Sequence, residues 1–170
     1  MHGALPTGRP RLVNDQSHSS KLPLGSCQNI KDGRRRISPA NPTACIFCQP
    51  PVERIFWSDE RVLGLWDGFP VSPGHALLIL RRHVATWFDA SRSEQVALIE
   101  AIDQAKSIIN REHAPDGYNI GMNCGAAAGQ TVFHLHVHLI PRYQGDVADP
   151  RGGVRHVIAD KANYLSAVPK

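Results

Sequence analysis

The sequence predicts an α+β fold, an antiparallel sheet with one long helix packed on it. Three observations carry this expectation. Short apolar runs separated by turn residues come first, one amphipathic helical stripe follows, and two more strand-like runs come after it. Strands, then a single helix, then strands differ from the regular alternation that builds a parallel sheet. No internal repeat is visible, and 170 residues are one domain's worth, enough to bury a core.

The elements follow in order. "CIFCQPPVERIFWSDERVLGLWD" alternates apolar runs with charged turn residues, which predicts strands near 54–57 and 61–66 joined through Ser58, Asp59 and Glu60. "FPVSPGHALLIL" gives a Pro-Gly turn and then a buried strand from Ala76 to Leu80. In "SRSEQVALIEAIDQAKSIINREH", Ser93 is the candidate N-cap. Leu98, Ile102, Ala105 and Ile109 fall at i, i+4, i+7 and i+11, one helical stripe that "APDG" ends. "YNIGMNCG" and "TVFHLHVHLIPR" read as two further strands around the small-residue loop "GAAAG".

Charge and composition narrow the class. The net charge of +4 divides unevenly, because residues 1–44 hold seven Lys/Arg against two Asp and the rest holds 12 against 13. The basicity belongs to the tail, so the globular part has no field suited to nucleic acid, and such a partner is not expected. With scattered Pro and Gly and no apolar period, residues 1–44 are expected to form a flexible basic tail, and "GRRRIS" to be solvated. The globular domain is expected over 45–170, with a C-terminal strap from about 143. No apolar run approaches the ~20 residues of a membrane span, and no signal-like segment opens the chain. Four cysteines, two of them as Cys-x-x-Cys, suit metal or redox use in a reducing compartment, with cytoplasm the default expectation.

"GQTVFHLHVHLIPR" places histidine at every second position. Residues two apart in a strand share a face and lie roughly 6.5–7 Å apart. His134, His136 and His138 therefore face one way, while Phe133, Leu135, Val137 and Leu139 pack the other. Three accounts fit this pattern. A half-buried strand could carry histidine by chance, yet three buried rings need three sets of hydrogen-bond partners. A metal site could use two of the rings, although all three are spread too far to converge easily on one ion. In the third account a neutral imidazole is a nucleophile, and its neighbours bind an anionic substrate and protonate its leaving group.

His134-Leu135-His136-Val137-His138-Leu139-Ile140 resembles the signature of the histidine triad superfamily of nucleotidyl hydrolases and transferases. "SPGHALLIL" resembles that family's Pro-Gly-His strand, and "GMNCGAAAGQTVFH" resembles its loop into the triad. The likeness runs from about Cys45 to Arg155. "AGQTVFHLHVHLIPRYQGD" is most similar to the fragile histidine triad group, which cleaves dinucleoside polyphosphates, and to its bacterial relatives. The resemblance implies a histidine-triad fold, a homodimer and a nucleotide substrate. It makes His136 the nucleophile attacking the α-phosphorus, with the His134 backbone oxygen holding one ring proton, and His138 a phosphate contact. Asn123 falls near the phosphate and leaving group, and Gln130 and Thr131 at the polar pair that contacts phosphate. His75 falls where a histidine abuts the nucleophile. Asp67 falls where Asp or Asn binds ribose hydroxyls, for which two acceptor oxygens suit a vicinal diol.

"CIFC" alone fits a zinc knuckle, a redox pair or chance. "QPP" directly after Cys48 opposes the helix that a thioredoxin-like pair would open. A structural zinc needs four N/S ligands. The resemblance to metal-carrying members names Cys45, Cys48, His83 and His134, although the fragile histidine triad enzymes lack this set. Cys27 lies in the tail, and Cys124 reads as a small packed residue. Arg142, Arg151 and Arg155 on the strap could reach polyphosphate oxygens, or could simply be solvated. The expected activity is hydrolysis of a dinucleoside polyphosphate such as diadenosine tetraphosphate, through a nucleotidyl-histidine. Its rivals are a nucleoside phosphoramidase, a nucleotidyltransferase and a nucleotide sensor with slow turnover.

Overall fold

The computed structural model describes residues 45–163, so the expected basic tail, Cys27 and the last seven residues lie outside the described residues. Five strands, β1 (Ile55–Ser58), β2 (Val62–Trp66), β3 (Ala76–Leu80), β4 (Gly117–Gly121) and β5 (His136–Arg142), form one sheet in the order β1-β2-β3-β5-β4. Every pairing is antiparallel. A single long helix, α1 (Arg92–His113), lies across β2, β3 and β5. This is the expected α+β architecture.

β1 starts one residue later than expected because Arg54 belongs to a 3-10 turn, Val52–Arg54, and β2 starts one later because the turn before it is set by Asp59. Its Oδ1 accepts hydrogen bonds from the amides of Arg61 and Val62, each at 2.7 Å. The Pro-Gly turn before β3 depends on Gly74, whose φ of +76° suits glycine, and a Cβ there would meet His113 at 2.7 Å. The expected strand Ala76–Leu80 forms with those limits, and all five residues are buried.

The helix cap is a correction. Ser91, not Ser93, is the N-cap: its Oγ accepts from the Glu94 amide at 3.3 Å, and the Ser91 amide donates to Glu94 Oε2 at 2.8 Å. This reciprocal pair satisfies two otherwise orphaned amides, which Ser93, one residue before Glu94, cannot do. The apolar stripe is as expected. Leu98, Ala105 and Ile109 are buried together with Ala97 and Ala101, and Ile102 packs against them.

The sheet separates two apolar clusters. Val62, Ala76, Leu78, Leu80, Leu135, Val137 and Leu139 face α1. On the opposite face Leu63, Leu65, Leu77 and Ile79 pack with Cys45 and Phe47 from the turn preceding β1. Phe133, expected to pack with Leu135, Val137 and Leu139, is half-buried and joins neither cluster.

Candidate active site and metal cluster

The strand register fixes which residues meet. His138 pairs with Leu77 and His136 with Ile79, while Leu65 pairs with Leu77 and Leu63 with Ile79. Paired residues share a face. The second and third histidines therefore lie on the face away from α1. Asp67 follows the last residue of β2 and His75 precedes the first of β3, and the Asp67 amide donates to the His75 carbonyl at 2.9 Å. Both side chains reach the same end of the sheet.

His136 is buried, and its Nδ1 lies 2.8 Å from the carbonyl oxygen of His134. A carbonyl only accepts, so Nδ1 carries the proton and Nε2 keeps its lone pair. The expected tether is present. His138 is ordered differently. His75 Nδ1 has two neighbours, the Val71 amide at 3.3 Å and Asp67 Oδ2 at 3.4 Å. The amide can only donate, so Nδ1 accepts and the carboxylate acts at longer range. His75 Nε2 then carries the proton and donates to His138 Nδ1 at 3.0 Å. That places the His138 proton on Nε2.

The hydrogen bond of His75 runs to His138, the neighbour of the candidate nucleophile on the same strand. Burial pulls His138 down to about 4, helped by His136 and His75 and opposed by Asp67, so its ring is neutral near pH 7. Burial also lowers His75, against the pull of Asp67. The hydrogen bonds set two complementary ring orientations: the Nδ1 proton of His136 is held by a carbonyl, and His138 presents an N–H at Nε2.

Asn123 lies just past β4. Continuing the β4–β5 register beyond its Gly121–His138 pair sets Asn123 across from His136. Its half-buried amide has no hydrogen-bond partner among the described residues. Gln130 is held by its own loop. Its carbonyl accepts from the Gly125 amide at 2.7 Å, and its nitrogen donates to Ala85 O at 2.7 Å and Val132 O at 3.1 Å. The buried side chain clamps the loop 125–130, and both hydrogens of its amide nitrogen are used there. Thr131 beside it is exposed. Asp67 Oδ1 accepts from the Phe69 amide at 2.9 Å, leaving Oδ2 toward the histidines. Arg142 is held by Asp146 and Asn119, and Arg151 by Asp149. Arg155 donates to backbone carbonyls of Lys161 and Ala162.

A second group gathers beside the first. Cys48 Sγ lies 3.2 Å from His83 Nδ1 and 3.7 Å from His134 Nδ1, and Cys45 Sγ lies 3.5 Å from His134 Nδ1. All four ligand atoms lie within 4.8 Å of one another. Tetrahedral ligands at 2.0–2.3 Å from an ion stand about 3.3–3.8 Å apart, so these residues fit a Cys2His2 metal. His134 Nε2 donates to Leu80 O at 2.8 Å, which fixes the tautomer and leaves Nδ1 free for an ion. Burial, aided by His83 and His136 and opposed by the Leu80 carbonyl, brings His134 down to about 4. Burial lowers His83 as well. Both rings are in the neutral form a metal requires.

Sequence reasoning missed Phe47, whose ring centroid lies 5.2 Å from that of His136. The only signal for it was an apolar pair between the cysteines.

Known proteins are similar to this chain in sequence and in fold. The chain is 35% identical over 126 residues to a Mycobacterium tuberculosis AP-4-A phosphorylase, covering 68% of this chain and 60% of that protein. It is 32% identical over 109 residues to a Schizosaccharomyces pombe bis(5'-nucleosyl)-tetraphosphatase, covering 64% and 60%. A solved Streptococcus mutans protein, SMU.412c, superposes with a TM-score of 0.60 at 31% identity, covering 75% of this chain and 83% of that one. The HIT domain matches residues 52–145, across the whole sheet and the helix, and the chain belongs to the HIT domain family.

Proposed function

We propose that this protein is a nucleotidyl hydrolase that cleaves a phosphoanhydride of a dinucleoside polyphosphate, of the diadenosine tetraphosphate kind, through a nucleotidyl-His136 intermediate. One observation carries the reading: the proton of His136 is held at Nδ1 by the His134 carbonyl, so Nε2 presents a lone pair. Nε2 attacks the α-phosphorus, a P–N bond forms, and the bond from phosphorus to the bridging oxygen breaks. The departing nucleotide takes the electron pair of that bond. His138 Nε2–H donates to the phosphate oxygens without bringing a cation, and Asn123 offers its free amide to the same group. Water then breaks the P–N bond, releasing the nucleoside monophosphate and restoring His136. Asp67 Oδ2 is the acceptor for a ribose hydroxyl.

The two named relatives support this substrate class, and "AGQTVFHLHVHLIPRYQGD" supports a place near the fragile histidine triad group. The phosphorylase favours one second reading, in which phosphate instead of water accepts the nucleotidyl group. In the same reading zinc is held by Cys45, Cys48, His83 and His134 as a closed structural site, and a homodimer forms with β4 at the sheet edge. Zinc there supplies cross-linking of the Cys45–Cys48 turn to the sheet.

The test is turnover of labelled diadenosine tetraphosphate by wild type and His136→Ala. Wild type is expected to release a mononucleotide, and the variant to lose about 10³-fold or more in kcat while still binding nucleotide. Near-normal turnover by His136→Ala removes the nucleophile assignment. A product that appears only with added phosphate decides for the phosphorylase reading.

A further inference from the structure

The turn that holds the two cysteines also holds a ring against the candidate nucleophile. Phe47 stands between Cys45 and Cys48 in a turn closed by the Cys48 amide donating to Cys45 O at 3.1 Å. It is buried with Leu63, Leu65, Leu77 and Ile79. Its ring lies 5.2 Å from His136 at 58°, and edge-on to His134 at 6.0 Å. The His138 ring stands 5.1 Å from His136 at 72°. His136 is therefore tethered at one atom and bordered by two rings.

The tether to the His134 carbonyl settles the tautomer, but a single hydrogen bond is a pivot about which an imidazole still swings. In-line attack tolerates roughly 0.5 Å and 10–20° of error, so a swing of the ring takes Nε2 out of productive geometry. Packing must oppose the swing, and Phe47 borders the ring. Phe47 is in turn fixed from both sides, because Cys45 and Cys48 meet the Nδ1 atoms of His134 and His83. We infer that Phe47 is a positioning residue that keeps His136 aimed, and that the Cys2His2 cluster, by holding the Phe47 turn to the sheet, governs the orientation of the nucleophile. This rests on reading His136 as the nucleophile.

A ring buried only for core packing would change stability and nothing else. A ring lining the nucleotide pocket would change affinity. Phe47→Leu separates these, since leucine keeps apolar bulk and loses the flat wall. Two readouts are taken on the full-length, zinc-loaded protein. Without substrate, the Nδ1–H resonance of His136 in a nitrogen–proton correlation spectrum is expected to be sharp in wild type and broadened in Phe47→Leu. With diadenosine tetraphosphate, the single-turnover rate is expected to fall about 10-fold or more while KM stays within about threefold. Chelation of the metal should broaden the same resonance, and Zn²⁺ alone should restore it. An unchanged resonance and rate in folded Phe47→Leu overturns the positioning role, as does a change confined to KM. A resonance indifferent to zinc overturns the part given to the cluster. Failure of wild type to cleave any dinucleotide removes the functional reading, while the resonance comparison still decides whether Phe47 orients His136.

Discussion

His134 serves two neighbours with different parts of itself. Its Nδ1 faces the thiols of Cys45 and Cys48, and its carbonyl holds the proton of His136. The side chain and the backbone of one residue thus link the Cys2His2 cluster to the candidate nucleophile. The neutral rings also make stability depend on pH. His138 and His134 are each brought from 6.5 to about 4 by burial first, so the native state binds fewer protons than the unfolded chain between those values. Stability therefore rises with pH across that window: it is fully present above about 6.5 and is lost progressively as pH falls toward about 4. Protonating each ring in the folded state costs on the order of 3 kcal/mol. The urea midpoint is expected to drop steadily from pH 7 to 4.5, and a flat or rising profile contradicts the neutral assignment.

Individual elements carry their own predictions. α1 begins on the Ser91–Glu94 pair, and Glu94 is drawn down to about 2, chiefly by its hydrogen bond from Arg82 and then by Ser91. Ser91→Ala should cost about 1 kcal/mol, measured by denaturant unfolding, whereas Ser93→Ala should cost little. Equal losses would return the cap to Ser93. The reciprocal Ser-x-x-Glu spacing was legible in the sequence, but two serines two residues apart competed for the cap, and the chain path into the helix chose between them. The loop before β5 hangs on Gln130, which ties Gly125 and Val132 to Ala85. Removing that amide leaves half-buried backbone groups of Ala85, Gly125 and Val132 unpaired, so Gln130→Ala should destabilise by about 1–2 kcal/mol. A calorimetric Tm equal to wild type would mean that the clamp contributes nothing.

Over the whole molecule, the sheet divides labour between its faces. One face is closed by α1, and the other is left for the histidines, Asp67 and the Cys45–Cys48 turn. Because that turn joins the sheet through four polar side chains and a small apolar cluster, its attachment should depend on metal. Elemental analysis of protein made without chelators is expected to find about one zinc per chain, and its removal to lower Tm by about 5 °C or more. Absence of zinc, or an unchanged Tm after removal, refutes the structural site. The matched motifs begin at Cys45, so a chain starting at Pro42 is expected to keep its zinc and a similar kcat/KM. A tenfold loss in a folded truncation would give residues 1–44, and "GRRRIS" first among them, a part in catalysis.

What the sequence determined by itself was local and periodic. The helical stripe from Leu98 to Ile109, the buried strand Ala76–Leu80 and the alternation of His134, His136 and His138 follow from side-chain period, which any short window displays. The resemblance added the Cys2His2 set, and the structure brings those four residues together. Tertiary structure alone decided that His75 meets His138, that Gln130 is spent on its loop, and that Phe47 lies against His136. The contacts of His75 with His138, Gln130 with Ala85 and Phe47 with His136 each join residues at least 45 positions apart in sequence. No local pattern encodes such a pairing, because it depends on the register of β3 against β5 and on where a turn outside the sheet comes to rest.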